Sequence, residues 1–213
     1  MIIAVDGPAA AGKGVLTRRI ADHFGLARLD TGLLYRAVGL KTLRKGEDPS
    51  DPAAATAAAQ SLDAAELDDP DLRGDAAAAA ASKVGAIPAV RAALLDFQRH
   101  FAHHPPDGAK GAVLDGRDIG TVVCPDADAK LFVTASVEVR AERRVKELRE
   151  RGLEAIHSRV LQEMKERDSR DASRAVAPLE PAGDAFVLDT SDLDPDAVFA
   201  EALAHIRSRC EGD

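Results

Sequence analysis

The first fourteen residues constrain this chain most. An apolar run, Ile2 to Val5, passes through Asp6 into a turn framed by Gly7 and Gly12 and ending at Lys13. Backbone N–H groups converge on an anion only where no Cβ blocks the approach, so glycines framing a strand-to-helix turn predict a cradle for phosphates. Leu16, Ile20 and Phe24 follow at helical spacing and Gly25 supplies a stop, which predicts a helix over Lys13 to Phe24. The positive end of that helix faces the same anion, with Lys13 reaching the outer phosphates of a triphosphate. The predicted phosphate contacts are Gly7, Pro8, Ala9, Ala10, Ala11, Gly12, Lys13, Gly14 and Val15. Loops of this spacing usually place Ser or Thr after the lysine to hold Mg2+, whereas Gly14 and Val15 carry no hydroxyl. Mg2+ is therefore expected to be held mainly by phosphates and water, with a carboxylate from elsewhere.

Short apolar runs recur beyond the loop: Ala27 to Leu29, Ala112 to Leu114, Leu131 to Val133 and Phe186 to Leu188, most of them separated by helical patterns. This alternation predicts an α/β fold, a five-stranded parallel sheet flanked by helices on both faces. Ligands of such sheets bind at the carboxyl ends of strands, where this chain places Asp6, Asp30, Asp115 and Asp189. Ser136 is placed to cap a helix with Val137, Ala141, Val145 and Leu148 on one face, and Asp194 with Pro195 opens a last helix with Val198, Ala202, Leu203 and Ile206 inward. Residues 48 to 75 are rich in Ala, Asp and Pro and lead into six alanines, Ala76 to Ala81, for which Asp75 is a candidate cap. Residues 48–104 are read as a mostly helical insertion within a single domain, 1–213.

At 213 residues with 46% apolar content, the chain can bury one substantial core. A net charge of −8 disfavours nonspecific attraction to nucleic acid or to an anionic membrane, so neither is an expected partner. The two cysteines, Cys124 and Cys210, lie far apart without metal-ligand spacing, and no dedicated protein metal site is expected. The first apolar run is broken by Asp6 and has no basic segment before it, and no apolar stretch is long enough to cross a bilayer. A cytoplasmic monomer is the expectation.

Four further clusters bear on chemistry. Asp30-Thr31-Gly32 through Tyr35-Arg36 reads either as a Thr-capped helix with surface Tyr and Arg or as a hydroxyl, phenol and guanidinium around a second phosphate. Asp115-Gly116-Arg117-Asp118 packs charges on a glycine-flanked turn after a buried strand, where a water-bridged Mg2+ is commonly held, with Asp115 the candidate carboxylate. Arg167, Arg170, Asp171 and Arg174 share one face if the segment is helical. That face suits either solvated pairs, such as Glu163 with Arg167 and Glu166 with Arg170, or cations around a transferring phosphoryl group. Ser82 and Arg91 flank Pro88 and carry no local mark beyond surface residues.

Together, in this order and at this spacing, the loop from Gly7 to Gly14, Asp30-Thr31-Gly32 with Tyr35-Arg36, Ser82 to Arg91, Asp115 to Thr121, and Arg167 through Arg174 to Leu179 resemble the bacterial cytidylate kinases, a family of P-loop nucleoside-monophosphate kinases. The resemblance spans nearly the whole chain. It implies ATP as donor, CMP and dCMP as small-molecule acceptors, an acceptor-binding insertion and a short lid near residues 150–178. It further implies cytosine contacts from Ser82, Arg91 and Asp118, ribose contacts from Asp171 and Arg167, and acceptor-phosphate contacts from Arg36, Arg117 and Arg174 near Thr31 and Tyr35. Lys13, Arg117, Arg170 and Arg174 are the implied catalytic cations. Two departures stand out: Val15 replaces a threonine common in the family, and residues 62–75 are too poor in β-formers for the hairpin often found there. An adenylate or shikimate kinase is the nearest rival, whereas a GTP switch would need a guanine-reading Asn-Lys-x-Asp and a hydroxyl after Lys13, both absent from this sequence.

Overall fold

Strand pairing explains how the loops come together. In the computed structural model, which describes residues 1–210, five strands form a sheet in the order β2-β3-β1-β4-β5. They are β1 (Ile2–Asp6), β2 (Ala27–Asp30), β3 (Ala112–Gly116), β4 (Ala129–Thr134) and β5 (Phe186–Asp189). β1 pairs in parallel with β3 on one side and β4 on the other, and β4 pairs in parallel with β5. Each strand holds the apolar run read from the sequence and extends it by one to three residues. The final three residues of the expected 1–213 domain lie outside the described residues.

The central position of β1 accounts for its composition. Ile3, Ala4 and Val5 are fully buried, and Ile3 and Val5 pack with Leu16, Ile20, Leu131, Val133 and others in the main core. The register sets Val5 opposite Asp115 and Asp6 opposite Gly116, so the turns leaving β1 and β3 emerge side by side at the carboxyl edge. Among the flanking helices are α1 (Lys13–Phe24), α6 (Val137–Glu150), α7 (His157–Ala172) and α8 (Pro195–Cys210). The Ser136 hydroxyl accepts from the Val139 N–H at 3.3 Å, as its capping position predicts. Ala141, Val145 and Leu148 of α6 close a second core against Val160 and Met164 of α7. On α8, Val198, Ala202 and Ile206 are buried and Leu203 is half-buried.

The chain divides into two compact units, Met1–Leu29 with Ala102 onward, and Asp30–Phe101. The second unit is helical, built on α2 (Thr31–Arg44), α3 (Pro52–Gln60), α4 (Asp75–Val84) and most of α5 (Pro88–His103). It begins earlier than residue 48 because α2 belongs to it. Its packing depends on small side chains: a Cβ on Gly39 of α2 would sit 2.6 Å from the Ala80 Cβ of α4, so the helices approach within touching distance of their backbones. Ala77, Ala78, Ala80 and Ala81 are accordingly buried, which is the use of the alanine run. Gly74, not Asp75, is the N-cap of α4; Asp75 sits in the first turn, where its negative charge suits the helix dipole. Residues 62–75 form two short 3-10 turns rather than a hairpin, tied to α2 by Lys41 with Glu66 at 2.7 Å and Arg44 with Asp69 and Asp71. No single helix among the described residues is long and apolar enough to cross a membrane.

Candidate functional site

The phosphate loop owes its shape to close packing at one end and to unusual backbone conformations along it. Gly7 has φ +143° and a Cβ there would lie 1.9 Å from the Val133 carbonyl oxygen, so β4 excludes every other residue. Gly12, at φ +96°, caps α1, and Ala10 holds φ +59° although it is not glycine. Lys13 is buried; its ammonium donates to the Pro8 carbonyl at 2.9 Å and stands 3.7 Å from Asp115 Oδ1. Ala11 is buried, Ala9, Ala10 and Gly14 are half-buried, and Val15 is 53% exposed. Asp115 Oδ2 lies 3.9 Å from where a Gly14 Cβ would stand, so the expected carboxylate does sit beside the first turn of α1.

The turn after β3 is held by a residue whose role its position alone did not reveal. Asp6 Oδ1 accepts from the Ile119 N–H and Oδ2 from the Gly120 N–H, both at 2.7 Å. Ile119–Val123 forms one π-helical turn with Asp118 as its buried N-cap. On the far side, Lys130 donates to the Pro125 carbonyl at 2.6 Å and pairs with Asp184 at 2.9 Å. Burial drives the Asp6 carboxyl up to about 6, opposed by the two backbone N–H groups; the Asp118 charge adds to the rise and Lys13 opposes it.

Asp171 is the focus of the third region. Its Oδ2 accepts from Arg117 Nε at 3.2 Å and its Oδ1 from Arg174 Nη2. Burial works to raise this carboxyl, yet the charges of Arg117, Arg174 and Arg167 together outweigh it and hold the group below the usual carboxylate range. The helical face expected to carry all four residues ends early: α7 stops at Ala172, and Arg174 meets Asp171 from the turn beyond, which the Leu179 N–H closes on the Asp171 carbonyl at 2.9 Å. Arg170 is exposed. One turn earlier on the same helix, Glu163 pairs with Arg159 at 3.9 Å and Glu166 accepts from Gln162 at 2.9 Å.

Within the helical unit, Asp30 rather than Thr31 caps α2, accepting from the Gly32 N–H at 3.0 Å, and Thr31 is buried as the first helical residue. Arg36 donates to the Leu72 carbonyl at 2.9 Å. Ser82 and Arg91 are buried, contrary to a surface reading. The Arg91 guanidinium lies 5.3 Å from the centroid of the half-buried Tyr35 ring and donates to the Gly85 carbonyl at 3.2 Å. This unit thus holds a buried, planar cation against an aromatic ring.

Comparison with known proteins places these residues in one family. The model of the family described as cytidylate kinase matches residues 3–208. A cytidylate kinase of Paramagnetospirillum magneticum is 67% identical over 208 residues, covering 98% of both chains. One of Rhodospirillum rubrum is 61% identical over 203 residues, covering 95% of both. A solved structure of an uncharacterized protein from Eubacterium ventriosum superposes with a TM-score of 0.55 over 98% of this chain and 99% of that one, at 15% identity, a likeness of fold alone.

Proposed function

Since this chain belongs to the cytidylate kinase family, we propose that it transfers the γ-phosphoryl group of ATP to the 5′-phosphate of CMP and of dCMP. An oxygen of the acceptor phosphate attacks the γ-phosphorus, the bond to the β,γ-bridging oxygen breaks, and ADP leaves with CDP or dCDP formed. The acceptor oxygen is already anionic, so no strong general base is needed. Positioning and neutralisation of charge supply the rate. The observation that carries this reading is the buried Lys13 beside Asp115, with Arg117, Asp171 and Arg174 gathered at the end of the same strand β3.

Gly7 to Val15 hold the donor phosphates through backbone N–H groups, and Lys13 neutralises the charge that builds up on the bridging oxygen. A single carboxylate, Asp115, with no hydroxyl at Gly14 or Val15, suits a Mg2+ that takes most of its shell from phosphates and water. When bound, Mg2+ neutralises the β- and γ-phosphate oxygens. In the sheet-containing unit, Arg117, Arg170 and Arg174 act on the phosphoryl group in flight, Asp171 and Arg167 hold the ribose, and Asp118 accepts from the cytosine amino group. In the helical unit, Ser82 and Arg91 donate to the base and Arg36, near Thr31 and Tyr35, holds the acceptor phosphate. Residues 48–104 serve as the acceptor-binding insertion and residues 150–178 as a lid, in a cytoplasmic, monomeric enzyme.

Cytosine presents a donor at N4 and acceptors at N3 and O2, which an acceptor at Asp118 and donors at Arg91 and Ser82 complement chemically. Uracil reverses N3 and position 4 and leaves buried groups unpaired, at about 1 to 3 kcal/mol each. ADP formation measured across CMP, dCMP, UMP, AMP and shikimate tests this. The expected result is a kcat/KM at least about tenfold higher for the cytidine nucleotides than for UMP, from one such unpaired group. A preference for AMP or shikimate rejects the acceptor assignment.

A further inference from the structure

Ala10 poses a physical question that the glycines of the loop do not. A left-handed backbone at a residue with a Cβ costs about 1 to 2 kcal/mol and persists only where its surroundings over-determine it. Ala10, at φ +59°, is flanked by two carbonyls that are both held from outside the loop. On one side, Arg140 Nη1 donates to the Ala9 oxygen at 3.4 Å. On the other, the Thr190 hydroxyl lies 3.1 Å from the Ala11 oxygen and 3.1 Å from the Thr134 oxygen, placed to donate its proton to either. Thr190 is itself gripped by Arg143, whose Nη1 donates to its hydroxyl at 2.9 Å and whose Nη2 donates to its carbonyl at 2.6 Å. Arg140 and Arg143 stand three residues apart on α6, on one side of the helix. The Ala10 methyl packs against the α6–α7 core of Ala141, Val145, Leu148, Val160 and Met164.

Arg140 has two further partners. It is 5% exposed, donates through Nε to the Ala135 carbonyl at 2.9 Å, and forms a two-pronged bond with Asp168 of α7, Nη1 to Oδ1 at 3.2 Å and Nη2 to Oδ2 at 2.6 Å. Its rigid fork thus fixes Ala9 and α7 against the same group. Asp168 adjoins Arg167 and lies one turn before Asp171.

We propose that Arg140, Arg143 and Thr190 are positioning residues for the donor site: they clamp the phosphate loop around Ala10 from both sides, and Asp168 makes that clamp depend on the placement of α7. The inference rests on the reading of this loop as the ATP site. Its consequence is that α7, whose Arg167 and Asp171 serve the acceptor nucleotide, and the loop that serves the donor share one buried guanidinium.

The test is ATP binding by calorimetry on the full-length protein, with urea unfolding in parallel. Thr190→Val keeps the shape and removes the hydroxyl, Thr190→Ser restores it, and Asp168→Asn removes the charge that fixes Arg140 and is itself partly exposed. Each of the Val and Asn variants is expected to raise the Kd for ATP about tenfold, the effect of one lost hydrogen bond to a strained loop. Thr190→Ser is expected to recover the wild-type value. A Kd unchanged in both T190V and D168N, or an equal loss in T190S and T190V, overturns the proposal. So does a rise in Kd that merely follows the fraction unfolded. Wild-type protein that binds no ATP overturns the donor-site reading itself, and this inference with it.

Discussion

The phosphate loop and the Asp171 cluster are built on opposite principles. In the loop, shape comes first: Gly7 fits under Val133, Gly12 and Ala10 adopt left-handed backbones, and one buried lysine supplies the charge. In the cluster, charge comes first: Asp171 has no special backbone, and its place is set by guanidinium groups from Arg117, 54 residues away, and from Arg174 beyond its own helix. A loop of N–H groups binds any phosphate chain of the right length, whereas a cluster of paired charges can be rearranged when a ligand offers competing hydroxyls and oxygens. The difference suits a common donor and a selective acceptor.

Lys13→Ala should give the largest effect. Removing the buried ammonium of the loop is expected to lower kcat by about 10³-fold or more, measured by coupled ADP release. Unchanged turnover would place the chemistry elsewhere. Gly7→Ala attacks the shape of the loop rather than its charge. With a left-handed backbone and a Cβ 1.9 Å from the Val133 oxygen, it should cost about 4 kcal/mol of stability in urea unfolding, strain and overpacking adding together. A loss under 1 kcal/mol, roughly the exposed-surface range, shows that the strand ends are free to part.

The two carboxylates differ in the sign of their pH effects. The native pKa of Asp6, about 6, lies above its unfolded value of 3.8, so the native state binds this proton more tightly. Asp6 therefore makes stability fall as pH rises from about 4 to about 6, by up to about 3 kcal/mol, and no further above that. Asp171, held low, contributes stability above its unfolded pKa that is lost as pH falls through the native one. Urea unfolding of wild type and Asp6→Asn, followed from pH 4 to 7, should show wild type losing stability relative to the variant toward the alkaline end, because the neutral amide stays uncharged throughout; parallel curves contradict the assignment. The smallest expected effect is that of Asp171→Asn, about 30-fold in kcat/KM for CMP, with the KM for ATP unchanged. An equal change in both constants would mean that the cluster and the loop are one unit.

The regions differed as sharply in how well they could be read from residues alone. Glycine spacing, the lysine and the apolar run before them are local, so the loop and the start of α1 were legible, as were the strands to within a few residues. Asp6 was visible at its strand end, but its partners are backbone N–H groups 113 and 114 residues on, which no spacing betrays. Arg140 with Asp168 and Arg143 with Thr190 are likewise long-range pairs among many surface charges of the same kind. Helical periodicity put Arg174 on the face of α7; the helix ends first, and the contact with Asp171 survives because a long side chain reaches back. The burial of Ser82 and Arg91 depends on how α4 and α5 pack in the folded unit, which two isolated polar residues on either side of Pro88 do not disclose.

The central claim, direct transfer between two nucleotides, is open to phosphorus NMR on the purified protein with MgATP and CMP. The account predicts that the γ signal of ATP declines in step with the rise of the β signal of CDP, with no inorganic phosphate released ahead of it. Inorganic phosphate accumulating without CDP, or no conversion at all, contradicts it.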